Sequence, residues 1–120
     1  MNQSGLAVID LVHDYGLTLE DMLIVLDDMD LPFGKLRIKK GGSSGGHNGL
    51  ASVIYYLNSD EIPRLRIGIE RPSNSDEIDW VLSPFKEEEE EKLPEIIGNA
   101  IDAIEMWVDE DIEVVMSKVN

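Results

Sequence analysis

The spacing of apolar and polar residues changes several times along this chain, and each change marks an element. Val8, Leu11, Val12 and Tyr15 share one helical face, with Ser4 as the expected N-cap and Gly16 placed to end the helix in a left-handed conformation. Thr18 to Asp21 forms a short turn. Met22 to Leu26, MLIVL, is an unbroken apolar run of strand length and predicts a buried central strand. The acidic stretch Asp27 to Asp30 follows, and Leu31-Pro32-Phe33-Gly34 supplies turn chemistry. From Lys35 to Lys40 the period becomes two, with Leu36 and Ile38 on one side and Lys35, Arg37 and Lys39 on the other.

Beyond a glycine-rich loop, a helix is predicted from about Asn48 to Leu57, ending near Asn58. Arg64 to Glu70 alternates again: Leu65, Ile67 and Ile69 point one way, Arg64 and Arg66 the other. Arg71 to Asp79 is polar and turn-rich and reads as a mobile loop. After Pro84, the residues Leu93, Ile96, Ile97, Ala100, Ile101, Ile104, Trp107 and Val108 follow the three-four spacing of a long helix packed on a core, with Pro94 marking a kink or a restart near its first turns. A short helix from about Asp111 to Lys118 closes the chain. The pattern implies an α/β fold in one domain, residues 1–120: a three-layer sandwich in which a small mixed, mostly parallel sheet is flanked by helices.

Composition adds limits. The 120 residues contain no cysteine, which excludes disulfides, thiol nucleophiles and thiolate metal sites. The N-terminal stretch has no basic region and only a short apolar run broken by Asp10, so neither a signal peptide nor a membrane span is expected, and a cytoplasmic setting fits. A net charge of −15 argues on its face against a polyanionic partner. The average hides an asymmetry: seven of the ten Lys and Arg lie between Lys35 and Arg71, whereas twelve acids lie between Glu87 and Glu113. Arg37, Lys39, Arg64 and Arg66 are therefore either the solvent side of half-buried strands or a basic face for an anion.

The densest chemistry lies in Gly41 to Gly49, GGSSGGHNG, where five glycines surround one imidazole and one carboxamide. The loop lacks the Lys-Ser or Lys-Thr of a Walker A motif and the G-x-G-x-x-G spacing of a dinucleotide site. A plain linker explains the glycines but not His47 and Asn48 at the mouth of a helix. Asp27, Asp28 and Asp30 stand at the carboxyl end of a predicted strand, where ligand sites form in open α/β sheets. Three carboxylates can hold Mg²⁺, or one can orient a histidine while the others cap turns; no second acidic cluster with ligand spacing accompanies them. His13 falls on the polar side of the first helix. Ser43-Ser44 does not supply a nucleophile elbow, so hydrolysis would use an activated water.

Three stretches together resemble the bacterial peptidyl-tRNA hydrolase family: MNQSG at Met1 to Gly5, DDMDLPFGKLRIKKGGSSGGHNGL at Asp27 to Leu50, and RLRIGIERP at Arg64 to Pro72. The closing EMW at Glu105 to Trp107 agrees, and the resemblance spans essentially the whole chain. It implies hydrolysis of the ester between a peptide and the 3′ ribose of tRNA, which recycles tRNA after aborted translation, with no cofactor or metal. By resemblance Asp27 orients a histidine base, and Asn2 and Asn48 hold water, peptide and oxyanion. His47, Gly45 and Gly46 line the substrate beside them. Lys39 and Arg66 match positions that grip the tRNA 5′-phosphate, with Arg37 in support.

The family's G-N-P-G loop and T-R-H-N motif, whose histidine is the base, have no counterpart in this sequence. The resemblance thus implies an N-terminally incomplete domain that is inactive alone and prone, through exposed apolar edges, to self-association or to partial disorder near Asn2, in a family expected to be monomeric. A non-catalytic RNA-binding relative is the alternative it allows.

Overall fold

A computed structural model describes residues 3–70 and 84–120. Among the described residues the elements are α1 (Ser4–Tyr15), β1 (Ile24–Asp28), β2 (Leu36–Lys39), α2 (Asn48–Leu57), β3 (Arg64–Gly68), α3 (Glu87–Asp109) and α4 (Ile112–Val119), with a 3-10 turn over Leu19–Asp21. The strands form one sheet in the order β1-β3-β2. Ile24 N–H donates to Pro63 O and Ile69 N–H to Asp28 O, so both strands advance together and β1 runs parallel to β3. Lys35 O accepts from Gly68 N–H while Asp60 O accepts from Gly42 N–H, the opposite progression, so β2 runs antiparallel to β3. The sheet is therefore mixed, with one pair of each kind. The central position among the described strands belongs to β3. The Met22 to Leu26 run, expected there, shifts by two residues into β1 at one side of the sheet, where Val25 remains about half exposed.

The chain divides into two compact units. The first comprises residues 1–26 and 38–65. In it α1 packs on α2, and Met22, Val53 and Ile62 form a core joined by Val8, Val12, Leu17, Leu19, Ile24, Ile54 and Leu57. The approach of the two helices is set by Gly5: a Cβ there would fall on the Ser52 carbonyl oxygen and the Tyr56 ring, and Gly5 N–H donates to Ser52 Oγ at 3.0 Å. The inward face of α1 is thus Gly5, Val8 and Val12; Leu11 and Tyr15, expected on it, face water. Gln3, not Ser4, occupies the N-cap, while Gly16 ends α1 at φ 62°, as its position predicts.

The second unit comprises residues 27–37 and 66–120. Lys35 N–H closes a turn onto Pro32 O at 3.0 Å, with Gly34 at φ 82°. Gly68 passes so close beneath it that a Cβ would meet the Pro32 and Leu31 carbonyl oxygens. In α3 the four glutamates Glu87–Glu90 occupy the first turn, where they complement the helix dipole, and Lys86 N–H donates to Glu89 Oε1 at 2.9 Å. Pro94 lies inside this helix without ending it. Ala100 and Ala103 are buried, yet Ile97, Ile101 and Val108 are 54%, 49% and 69% exposed. The apolar stripe read from spacing is wider than the face α3 buries.

Candidate functional site

β2 carries out its alternation as expected: Leu36 and Ile38 are buried, Arg37 and Lys39 exposed. β3 does not. Every residue of β3 except the half-buried Ile67 is buried, so its arginines are not a wet face. Arg64 is wholly buried, and its guanidinium donates from Nε to Ile62 O (3.1 Å), from Nη1 to Ser43 O (2.8 Å) and from Nη2 to Asp60 O (2.8 Å). Arg66 is likewise buried, with Nη1 3.6 Å from Asp28 Oδ2. A period of two separates the faces of a strand; it does not say whether either face meets water.

In the first unit, the glycine loop leads from β2 to α2. Gly42, Gly45 and Gly46 have φ of 124°, 61° and 85°, backbone that other residues rarely adopt. Ser44 O accepts from His47 N–H at 3.1 Å, turning the chain into α2. His47 is the N-cap of that helix: Leu50 N–H donates to its Nδ1 at 3.1 Å. A nitrogen that accepts carries no proton, so this geometry leaves Nε2 as the ring position for hydrogen. Asn48, the first residue of α2, has an exposed side chain. The loop thus presents a carboxamide to solvent beside an imidazole whose orientation is already set. Lys39, at the end of β2, is exposed in the same unit.

In the second unit, Asp27 and Asp28 end β1, both half-buried. Asp28 accepts from Asp30 N–H through Oδ1 at 2.8 Å and faces Arg66 through Oδ2. Neighbouring strand residues point to opposite faces, so Asp27 turns away from that pair and shares its face with Val25. The three carboxylates do not converge, and among the described residues no group of three or more His, Asp and Glu is placed to hold a metal ion. Arg37 and Arg66 also belong to this unit. Asn2 and the loop Arg71 to Asp79 lie outside the described residues. His13 is almost fully exposed on α1, as its position predicts.

Sequence reasoning missed Arg64 as a structural group and Asp28 as the partner of Arg66. Nothing in the spacing marks either, because one acts on carbonyl oxygens and the other stands about forty residues away.

A family model described as "Peptidyl-tRNA hydrolase" matches residues 1–120. Curated relatives called peptidyl-tRNA hydrolase include one from Thermoanaerobacter sp. (strain X514), 48% identical over 120 residues, and one from Caldanaerobacter subterraneus subsp. tengcongensis, 45% identical over 120 residues. Each match covers 100% of this chain and 65% of the relative. The crystal structure of peptidyl-tRNA hydrolase from Acinetobacter baumannii superposes with a TM-score of 0.89 at 32% identity, covering 100% of this chain and 61% of that one. No helix among the described residues is long and apolar enough to cross a membrane.

Proposed function

The chain belongs to the peptidyl-tRNA hydrolase family, and on that premise we propose that its 120 residues form one domain contributing most of a site for cleaving the ester between a peptide and the 3′ ribose of tRNA. The observation that carries this reading is the junction of the glycine loop with α2, where His47 Nδ1 is held by Leu50 N–H and the Asn48 side chain is exposed beside it. Such a junction suits a polar substrate that approaches backbone closely. In the reaction a base takes a proton from water, the oxygen adds to the ester carbonyl, and the bond to the ribose oxygen breaks as that oxygen regains a proton. Asn48 and Asn2 hold the water and the developing oxyanion, with His47, Gly45 and Gly46 against the peptide. Asp27 orients the base.

Neither histidine of this sequence suits the base. His13 is exposed on α1, and the acceptor nitrogen of His47 is occupied by the helix cap. The 120 residues alone are therefore proposed to turn over far more slowly than a longer relative. Lys39 and Arg37, exposed on β2, supply the phosphate grip, whereas Arg66, which the resemblance groups with them, is buried opposite Asp28 and presents no exposed guanidinium; the partner is peptidyl-tRNA in the cytoplasm. The test is release of N-acetyl-amino acid from N-acetyl-aminoacyl-tRNA, for this chain and for a relative containing the T-R-H-N motif. Slow release with retained tRNA binding is expected; equal turnover would remove the claim of a missing base. Absence of tRNA binding would remove the substrate assignment.

A further inference from the structure

We infer that Arg64 is a positioning residue for this site: its buried guanidinium clips the start of the glycine loop and so sets His47 and Asn48. The inference rests on the reading of those two residues as substrate contacts.

Burying a guanidinium is costly unless its donors are met, and Arg64 meets that cost with a planar fork aimed at three carbonyl oxygens. Two acceptors, Asp60 and Ile62, belong to the segment entering β3; the third, Ser43, belongs to the loop. Asp60 O also accepts from Gly42 N–H at 3.0 Å. Two consecutive loop residues are thus bound to one arginine and one of its own acceptors. The chain approaches closely here, since a Cβ on Gly41 would lie 3.2 Å from both Asp60 O and Glu61 Cα.

Beyond this clip the loop has the freedom of Gly45 and Gly46, and immobilising such residues carries a large entropic cost. Only four positions separate Ser43 from His47. Across them Ser44 O accepts from His47 N–H, and His47 Nδ1 accepts from Leu50 N–H. The hydrogen bonds therefore run in short steps from Arg64 to the imidazole. A lysine would place one point charge where three fixed directions are needed.

The test is made on the 120-residue chain with Arg64→Lys and Arg64→Gln, reading the ¹⁵N signals of the His47 ring and amide hydrogen exchange. The wild type should show hydrogen on Nε2 and a protected Leu50 amide. In the variants the ring signals should move toward a mixture of tautomers, and exchange at Gly42, His47 and Leu50 should rise at least tenfold while α1 amides keep their rates. A merely stabilising arginine would lower the melting temperature and leave the ring signature unchanged; that result overturns the inference. Should both variants fail to fold, Gly41→Val decides, because it pries the loop from Asp60 without touching the buried charge. A wild-type ring signature in that variant would equally overturn the inference. Independently, if His47→Ala and Asn48→Ala leave binding of N-acetyl-aminoacyl-tRNA unchanged while the Arg64 variants still shift the ring, the substrate reading fails and the functional half of the inference falls with it.

Discussion

Arg66 Nη1 lies 3.6 Å from Asp28 Oδ2, and both side chains are almost withdrawn from water, at 9% and 15% exposure. Breaking such a pair from one side strands the other charge, which costs about 3–5 kcal/mol in buried pairs. Arg66→Ala is expected to lower stability by about 3 kcal/mol, measured by urea denaturation. Loss of RNA binding by that variant would then report unfolding and is no test of the phosphate grip.

Lys39 is the cleaner probe of the phosphate grip because it is exposed on β2. Lys39→Ala should change stability by less than about 0.5 kcal/mol. Its affinity for tRNA bearing a 5′-phosphate should fall, with no change for tRNA lacking one. Equal losses on the two RNAs refute the grip.

His47 and Asn48 are adjacent but differ in structural weight. His47→Ala removes the α2 cap and should cost about 1 kcal/mol. Asn48→Ala should leave the melting temperature within about 2 °C, since the side chain is exposed, while weakening binding of N-acetyl-aminoacyl-tRNA. Thermal melts beside filter binding separate the two effects.

Two glycines of the first unit fail for different reasons when replaced. Gly5→Ala drives a methyl into the Ser52 carbonyl and Tyr56, and should cost about 1–3 kcal/mol by forcing α1 from α2. Gly16→Ala meets no atom within 4 Å; its cost of about 1 kcal/mol is backbone strain at φ 62°. Denaturant midpoints measure both, and a larger loss at Gly16 would contradict the packing argument.

Acid should weaken the turn before β1. Asp21 accepts from Thr18 N–H at 2.8 Å and from Thr18 Oγ at 3.0 Å, and these bonds, the backbone one foremost, hold its carboxyl below the ordinary carboxylate range. A depressed folded value means stabilisation fully present above the ordinary value of 3.8 and lost as pH falls from there through the lowered one. Asp21→Asn should therefore narrow its stability gap to the wild type below about pH 4. A gap that stays constant down to pH 2 would show that this carboxylate contributes nothing.

The exposed Ile97, Ile101 and Val108 on α3 bear on association. The purified 120-residue chain is expected to gain mass with concentration in sedimentation, and Ile101→Lys to reduce that gain. A monomer at every concentration would set the expectation aside.

Much of this was readable along the chain because local rules governed it. The alternation of β2, the left-handed stop at Gly16, the turn at Pro32 to Lys35 and the opening of α2 at Asn48 each depend on residues a few positions apart. The long ordered motifs also placed the family. Where the reading missed, contacts distant in sequence decided the outcome. Leu11 and Tyr15 lost the inward face of α1 because Gly5, with no side chain, lets that helix approach Ser52. Ile97 and Ile101 are as apolar as any core residue, yet the helix buries Ala100 and Ala103 instead.

The arginines of β3 draw the line most clearly. Residue type and spacing established that Arg64 and Arg66 occupy a strand and point to the same side, since that follows from the pleat. Whether that side met water depended on which segments folding laid against it. Arg64 and Arg66 are both buried, and their guanidiniums are matched inside the protein, one by three carbonyl oxygens and the other by Asp28. Burial and partnership come from segments brought together by folding, and no local pattern encodes them.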